Sequence, residues 1–296
     1  MQDFTYQKVN SVQDLLAQLN NNGKKIKLLV GGTDLIPQLR EGRNSADLVI
    51  DIKGIKELNE IRMDDSNLFI GSSVTCLQAS NNEIIRTNYP GLVDAFSLIG
   101  GIQIQGRATI GGNVCNASPA ADSIPSLIAH DTTCIVTSKD GIREIKLEDF
   151  FEGPGKNVMK PTEFLSGLKV KKPNKGFGGS YLRFTPRNEM DIAVVGVGSS
   201  VQIDLDTKTI QSSRIALGAV APTPLFVVVG KSLEGIKADS DDLEKKIDEA
   251  AELASQSCNP ISDMRGSADQ RKHLVKVFVK RTLGIAIDRA LERGNQ

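Results

Sequence analysis

The stretch "LLVGGTDL", residues 28 to 35, constrains this chain more than any other. An apolar run ends in Gly31 and Gly32, followed at once by Thr33 and Asp34, the pattern of a backbone that must come close to something. "IKLLV" (26 to 30) before it and "DLVID" (47 to 51) after it read as buried strands bounded by turn residues. A dinucleotide fingerprint does not fit, because it needs G-x-G-x-x-G opening a helix, whereas these glycines are adjacent and Pro37 comes too soon for a long helix. The phosphate loop G-x-x-x-x-G-K-S/T is absent as well. Two readings remain: a turn whose backbone N–H groups converge on a small anion such as a phosphate, or a tight strand turn with no ligand.

A second stretch favours the ligand. "ATIGGNVCNASPAAD", residues 108 to 122, carries another Gly-Gly pair after apolar or β-branched residues, with Thr109 and Asn113 beside it. Two such loops suit the two phosphates of one pyrophosphate. Asp122 follows across the small residues Ala117, Ser118, Ala120 and Ala121, which let a ligand lie against the backbone, and its carboxylate is a natural acceptor for ribose or ribityl hydroxyls. The whole run from Gly100 to Ser118 holds five glycines and no acidic residue, so it reads as a loop in which regular structure is hard to sustain.

Elsewhere the periodicity alternates. Ser11 with Asp14 resembles a helix cap, and Val12, Leu15, Leu16 and Leu19 recur at helical spacing until Gly23. A short helix is expected at Ile55 to Leu58, a strand at Leu68 to Ile70, and helical segments up to Ile99. "DTTCIVTS" and "IREIKLEDF" read as paired strands joined by a hairpin turn at Asp140-Gly141. Beyond Val170, "KKPNKGFGG" breaks the pattern, which places a domain boundary there; 296 residues suit two domains. "DIAVVGVGSSVQIDLD" and "SSRIALGAV" are strand-like, Leu243, Ile247, Ala250, Ala251 and Ala254 share a helical face, and a last helix carries Leu274 to Ala286. A small sheet against helices, an α+β layer, follows.

Charge and cysteine usage exclude several classes. The 36 basic and 36 acidic side chains balance, so no global field draws nucleic acid or an anionic membrane. No apolar stretch approaches the roughly 20 residues of a transmembrane helix, and "MQDFTYQKVN" lacks the pattern of a signal peptide, so a cytoplasmic location is expected. Cys76, Cys115, Cys134 and Cys258 are far apart with no C-x-x-C pair, which leaves no local zinc or iron–sulfur site and points to reduced, mostly buried thiols.

Taken in order, "LLVGGTDL", "TIGGN", "ASPAAD", "GPGKNVMKPTEFL" and "PRNEMDIAVV" resemble the medium, flavin-binding subunit of the molybdenum hydroxylases, the family of carbon monoxide dehydrogenase, nicotinate dehydrogenase and the FAD domain of xanthine dehydrogenase. The resemblance covers nearly the whole chain. It implies the α+β, two-subdomain FAD-binding fold of the vanillyl-alcohol oxidase type over residues 1–175 (subdomains about 1–55 and 56–175). An α+β C-terminal domain, an antiparallel sheet with helices, would follow over 176–296. By the same resemblance Val30, Gly31, Gly32, Thr33 and Asp34, flanked by Leu29 and Leu35, and Thr109, Ile110, Gly111, Gly112 and Asn113 would wrap the FAD pyrophosphate. Gly100 and Asp122 would also lie on the cofactor, and Leu165 and Arg183 along the flavin or adenine. Arg183 stands where lysine is more frequent in such proteins.

The implied role is electron transfer: from [2Fe-2S] clusters on a small partner subunit, fed by a molybdenum cofactor on a large one, through non-covalent FAD here to an external acceptor. A dimer of heterotrimers is the implied assembly. His130 and His273 lie outside the flavin motifs and are read as structural, and no cysteine-rich insertion of the benzoyl-CoA reductase branch is present. Two other readings stay open: a free-standing FAD-dependent reductase of the same fold, and a nucleotide-binding scaffold with no redox role.

Overall fold

The computed structural model describes residues 3–20, 23–188, 190–228 and 230–293. Met1 and Gln2 of the N-terminal run and Glu189 of "PRNEMDIAVV" lie outside the described residues. The chain opens with a three-stranded parallel sheet of β1 (Thr5–Lys8), β2 (Ile26–Leu29) and β3 (Leu48–Asp51), with β3 in the centre. Every residue of β3 is buried, and successive side chains go to opposite faces, which divides the apolar neighbours. Leu48 and Ile50 pack with Leu15 and Leu19 of helix α1 (Val12–Leu19), whereas Val49 packs with Leu39 of helix α2 (Leu35–Arg40). Ser11 caps α1, its Oγ accepting the Asp14 N–H at 3.1 Å. The glycine turn of residues 31–34 is the link from the end of β2 into α2.

A five-stranded antiparallel sheet follows, in the order β4 (Ile61–Met63), β5 (Asn67–Gly71), β10 (Phe164–Lys171), β6 (Thr132–Ser138) and β7 (Gly141–Lys146). Between β5 and β6 run six short helices: α3 (Cys76–Asn81), α4 (Glu83–Asn88), α5 (Pro90–Phe96), α6 (Ile102–Gln105), α7 (Ile110–Asn116) and α8 (Ser123–Ala129). They bury Ile85, Leu92, Phe96, Ile110, Val114, Ile124 and Leu127 in one core with Leu68, Ile70 and Leu168 of the sheet. A two-stranded ribbon, β8 (Phe151–Gly153) with β9 (Lys156–Asn157), precedes β10.

Three expectations need correction here. The glycine-rich run of residues 100–118 is not an irregular loop, because it contains α6 and α7. Thr109 caps α7, and Gly111 lets that helix approach Ser72 so closely that packing outweighs the poor helix propensity of glycine. The hairpin turn after β6 is Lys139-Asp140, and Gly141, at φ +131°, already pairs with Ser138. The second strand of that hairpin stops at Lys146, and Leu147–Asp149 form a 3₁₀ turn that buries Leu147.

The remaining sheet is an antiparallel meander of β11 (Phe177–Phe184), β12 (Val195–Asp204), β13 (Thr209–Gly218) and β14 (Leu225–Val227). After the short α9 (Gly230–Leu233), helices α10 (Leu243–Gln256) and α11 (Ala268–Glu292) cover this sheet, with Ala250, Ala254, Val275, Val279 and Leu283 in its core. The meander docks tightly on what precedes it. A Cβ at Gly198 would stand 2.5 Å from the Pro125 carbonyl oxygen, so β12 lies directly on the backbone of α8. Arg289 of α11 grips both carboxylate oxygens of Asp94 on α5, at 2.6 and 3.1 Å. Edge strand β11 thereby comes to rest over the N-terminal end of α8, where Asp122 stands.

Candidate cofactor site

The two Gly-Gly turns meet. A Cβ on Gly31 would lie 2.1 Å from the carbonyl oxygen of Arg107, two residues before the cap of α7, so the first loop is pressed against the start of the second. Gly32 has φ +75°, a left-handed conformation that favours glycine. The backbone N–H groups of Gly31, Gly32, Thr33, Asp34 and Leu35 donate to no protein acceptor among the described residues. Buried backbone donors are nearly always paired, so consecutive free ones on a partly exposed loop are what an anion-binding nest requires.

The second turn is built differently. Thr109 Oγ1 accepts the Gly112 N–H at 3.1 Å, and the Ile110 N–H goes to the Val74 carbonyl at 3.0 Å, which pins the start of α7. Gly111 faces inward, its absent Cβ leaving room for Ser72, whereas Gly112 is exposed and a Cβ there would meet only Thr109 Oγ1 within 4 Å. Gly31 and Gly111 thus make room for protein backbone, a Cβ on Gly32 would meet the side chains of Ile36 and Leu29, and Gly112 alone of the four faces open space. Asn113 Oδ1 accepts the Ser123 hydroxyl at 2.6 Å and ties α7 to α8. Leu29, Val30 and Leu35 pack into the cores beside the first sheet, and Ile110 is wholly buried.

Asp122 and Arg183 come together. Arg183 Nη1 donates to Asp122 Oδ2 at 2.6 Å, with the two side chains only 5% and 10% exposed, and the Tyr181 hydroxyl donates to Asp122 Oδ1 at 2.8 Å. Burial pushes the Asp122 carboxyl up to about 6, against the pull of Arg183 and of the Tyr181 hydrogen bond. The phenol of Tyr181 is held well above its ordinary value, first by burial and then by Asp122. Gly100, at φ +59°, opens the segment that leads through α6 to Arg107. The side chain of Leu165 lies in the central core; its neighbour Ser166 accepts the Ser72 N–H at 3.1 Å, which sets β10 beside α7.

Sequence reasoning missed three residues at this junction. Tyr181 lies two positions before Arg183 on β11, the strand spacing that puts both side chains on one face. Ser72 and Ser73 have buried hydroxyl oxygens without a hydrogen-bond partner among the described residues, and Ser72 abuts Gly111. Their signal was the small polar run "GSS" directly after an apolar strand. The free loop amides and the open space above Gly112 offer the donors a dinucleotide pyrophosphate needs, whereas the Ser72 hydroxyl is buried on the inward, Gly111 side of α7. The two histidines take no part: His130 is buried, its Nδ1 2.7 Å from the Ser126 carbonyl, and His273 lines a groove between α10 and α11. Cys76, Cys134 and Cys258 are buried and Cys115 partly so, all four unbridged.

The α+β scaffold with its separate antiparallel meander is one that known proteins share. The family described as "FAD binding domain in molybdopterin dehydrogenase" matches residues 2–173, and "CO dehydrogenase flavoprotein C-terminal domain" matches residues 180–286. The chain belongs to this family of FAD-binding subunits of molybdopterin dehydrogenases, and is an oxidoreductase subunit. It is 30% identical to the xanthine dehydrogenase FAD-binding subunit of Escherichia coli O157:H7, over 97% of each chain. It is likewise 30% identical to the carbon monoxide dehydrogenase medium chain of Hydrogenophaga pseudoflava, over 96% of each. A solved carbon monoxide dehydrogenase from Hydrogenophaga pseudoflava superposes with a TM-score of 0.91 at 29% identity, covering 97% of this chain and 98% of that one. Among the described residues no helix is long and apolar enough to cross a membrane.

Proposed function

We propose that the chain is the FAD-carrying electron-transfer subunit of a molybdenum hydroxylase, taking electrons from [2Fe-2S] clusters on a small partner and delivering them to an external acceptor. The observation that carries the reading is the contact of the two glycine turns, with the amides of Gly31 to Leu35 left without protein acceptors. In this reading those amides donate to the pyrophosphate oxygens of FAD, and the exposed face of Gly112 gives the ligand access to the backbone of α7. Thr109 and Asn113 act by holding α7 in place. Asp122 and Arg183, fixed to one another, border the cradle, and Gly100 and Leu165 support its walls. FAD, bound without a covalent link, supplies the redox chemistry, and the protein supplies position and electrostatics.

Residues 1–175 would form the FAD-binding domain, in two subdomains, and 176–296 the C-terminal domain. Substrate oxidation would take place at a molybdenum cofactor on a large partner subunit, in a cytoplasmic dimer of heterotrimers. The test is purification from the native source. Molybdenum, iron and FAD should co-elute with this chain, and the isolated chain should show an oxidised flavin spectrum that dithionite bleaches and the complex's organic substrate leaves unchanged. A lone 32 kDa species whose flavin is reduced by substrate would refute the subunit reading.

A further inference from the structure

Asp122 is held from two sides by one strand. Tyr181 and Arg183 project from the same face of β11, and each supplies a donor to a different carboxylate oxygen of Asp122. Tyr181 is itself doubly fixed. Its backbone N–H donates to Asp94 Oδ2 at 3.2 Å, the carboxylate that Arg289 grips, and the residue as a whole is 2% exposed. Its hydroxyl occupies the space of a missing side chain, since a Cβ on Gly196 of β12 would stand 2.6 Å from it. Arg183 spends only Nη1 on the protein; among the described residues its Nε and Nη2 make no hydrogen bond. The two free nitrogens are the solvent-reachable side of a guanidinium that is otherwise enclosed, so they are open to a ligand acceptor, and oxygens of the cofactor suit them.

We propose that Tyr181 is a positioning residue: its hydroxyl fixes the Asp122 carboxylate, which in turn orients Arg183 so that the free Nε–H and Nη2–H donors face FAD. This rests on the FAD-binding reading above. Losing the Tyr181 bond leaves the buried carboxylate with one donor fewer, which favours its protonation, and a neutral Asp122 no longer holds Arg183 by charge. The groups facing Asp122 are Tyr181 and Arg183 on β11 and, more weakly, the Cys76 thiol at the start of α3; α7 presents the neutral Asn113. Asp94, itself held by Arg289, accepts from the Tyr181 backbone N–H and does not reach its hydroxyl.

The experiment measures FAD affinity by flavin fluorescence from pH 5 to 8.5 on the FAD-loaded protein as purified, alongside thermal unfolding. The parent protein should lose affinity on the acid side with a midpoint near 6, where Asp122 takes up its proton. Tyr181→Phe should move that midpoint up by about one pH unit, the worth of one hydrogen bond to a charged group. Gly196→Ala, which pushes the hydroxyl away while keeping it, should move it in the same direction and carries the test should Tyr181→Phe fail to fold. In an Asp122→Asn background neither change should move a midpoint. An affinity lowered by one constant factor at every pH, or left unchanged, would overturn the positioning role; a parent protein that binds no FAD would instead overturn the FAD-binding reading itself.

Discussion

Alanine at two glycines of the same site should give opposite results. At Gly31 the new Cβ would lie 2.1 Å from the Arg107 carbonyl oxygen and 2.8 Å from its carbon, where ordinary contact begins at 3.4 Å. Both partners are backbone, so one loop must move by more than 1 Å, and overpacking of this kind costs about 1–3 kcal/mol, here toward the upper end. At Gly112 the Cβ meets only Thr109 Oγ1, at 2.8 Å, a hydroxyl that can rotate away. Losing that cap costs about 1 kcal/mol, and replacing a helical glycine by alanine returns about 0.5–1 kcal/mol. Gly112→Ala should therefore unfold in urea within about 1 kcal/mol of the parent. Its methyl group, however, points into the open space where the pyrophosphate is placed, so FAD affinity should fall at least about tenfold, or 1.4 kcal/mol. Gly31→Ala should lose stability and FAD together. Parent-like FAD affinity in Gly112→Ala, measured by fluorescence titration, would refute the placement of the pyrophosphate over α7.

Three further expectations follow from individual residues. Burial lowers His130 to about 4, so the stability of its neutral form is fully present above pH 6.5 and is lost as pH falls toward 4. About 2.5 units at 1.36 kcal/mol each make roughly 3 kcal/mol, and denaturant unfolding of His130→Gln should show a flatter acid limb than the parent. Thr109→Ala should cost about 1 kcal/mol and weaken FAD through the loosened start of α7, whereas Thr109→Ser should be close to neutral in both titrations. Burial pushes the Cys76 and Cys115 thiols up to about 12 and Cys258 up to about 11, so a thiol reagent at pH 8 should label the folded protein slowly and all four cysteines only after denaturation.

Strands β2 and β3 on either side of the first glycine turn were legible because they are short apolar runs with turn residues at both ends, and helices α1, α10 and α11 because their apolar residues recur at helical spacing; strand β1 and the parallel pairing of the three strands were not. These are local patterns, and local patterns are what a linear chain displays. The glycine turns were legible for the same reason, and the order of five motifs was enough to indicate the family. The reason for each glycine was not. Gly31 and Gly111 owe their missing Cβ to Arg107 and Ser72, which lie 76 and 39 residues away in the chain and become neighbours only on folding. Helix α7 was read as a loop because its propensity is poor, and only packing against Ser72 and the bridge from Ile110 to Val74 make it a helix. Asp122 was recognised by its small neighbours, yet its fixed orientation depends on Tyr181 and Arg183, 59 and 61 residues further along. The sequence by itself thus determined the strands, the amphipathic helices and the loops that can approach a phosphate, all set by residues a few positions apart. Tertiary structure decided which glycine faces open space and which carboxylate is held, because those depend on which distant backbones the burial of the core brings into contact.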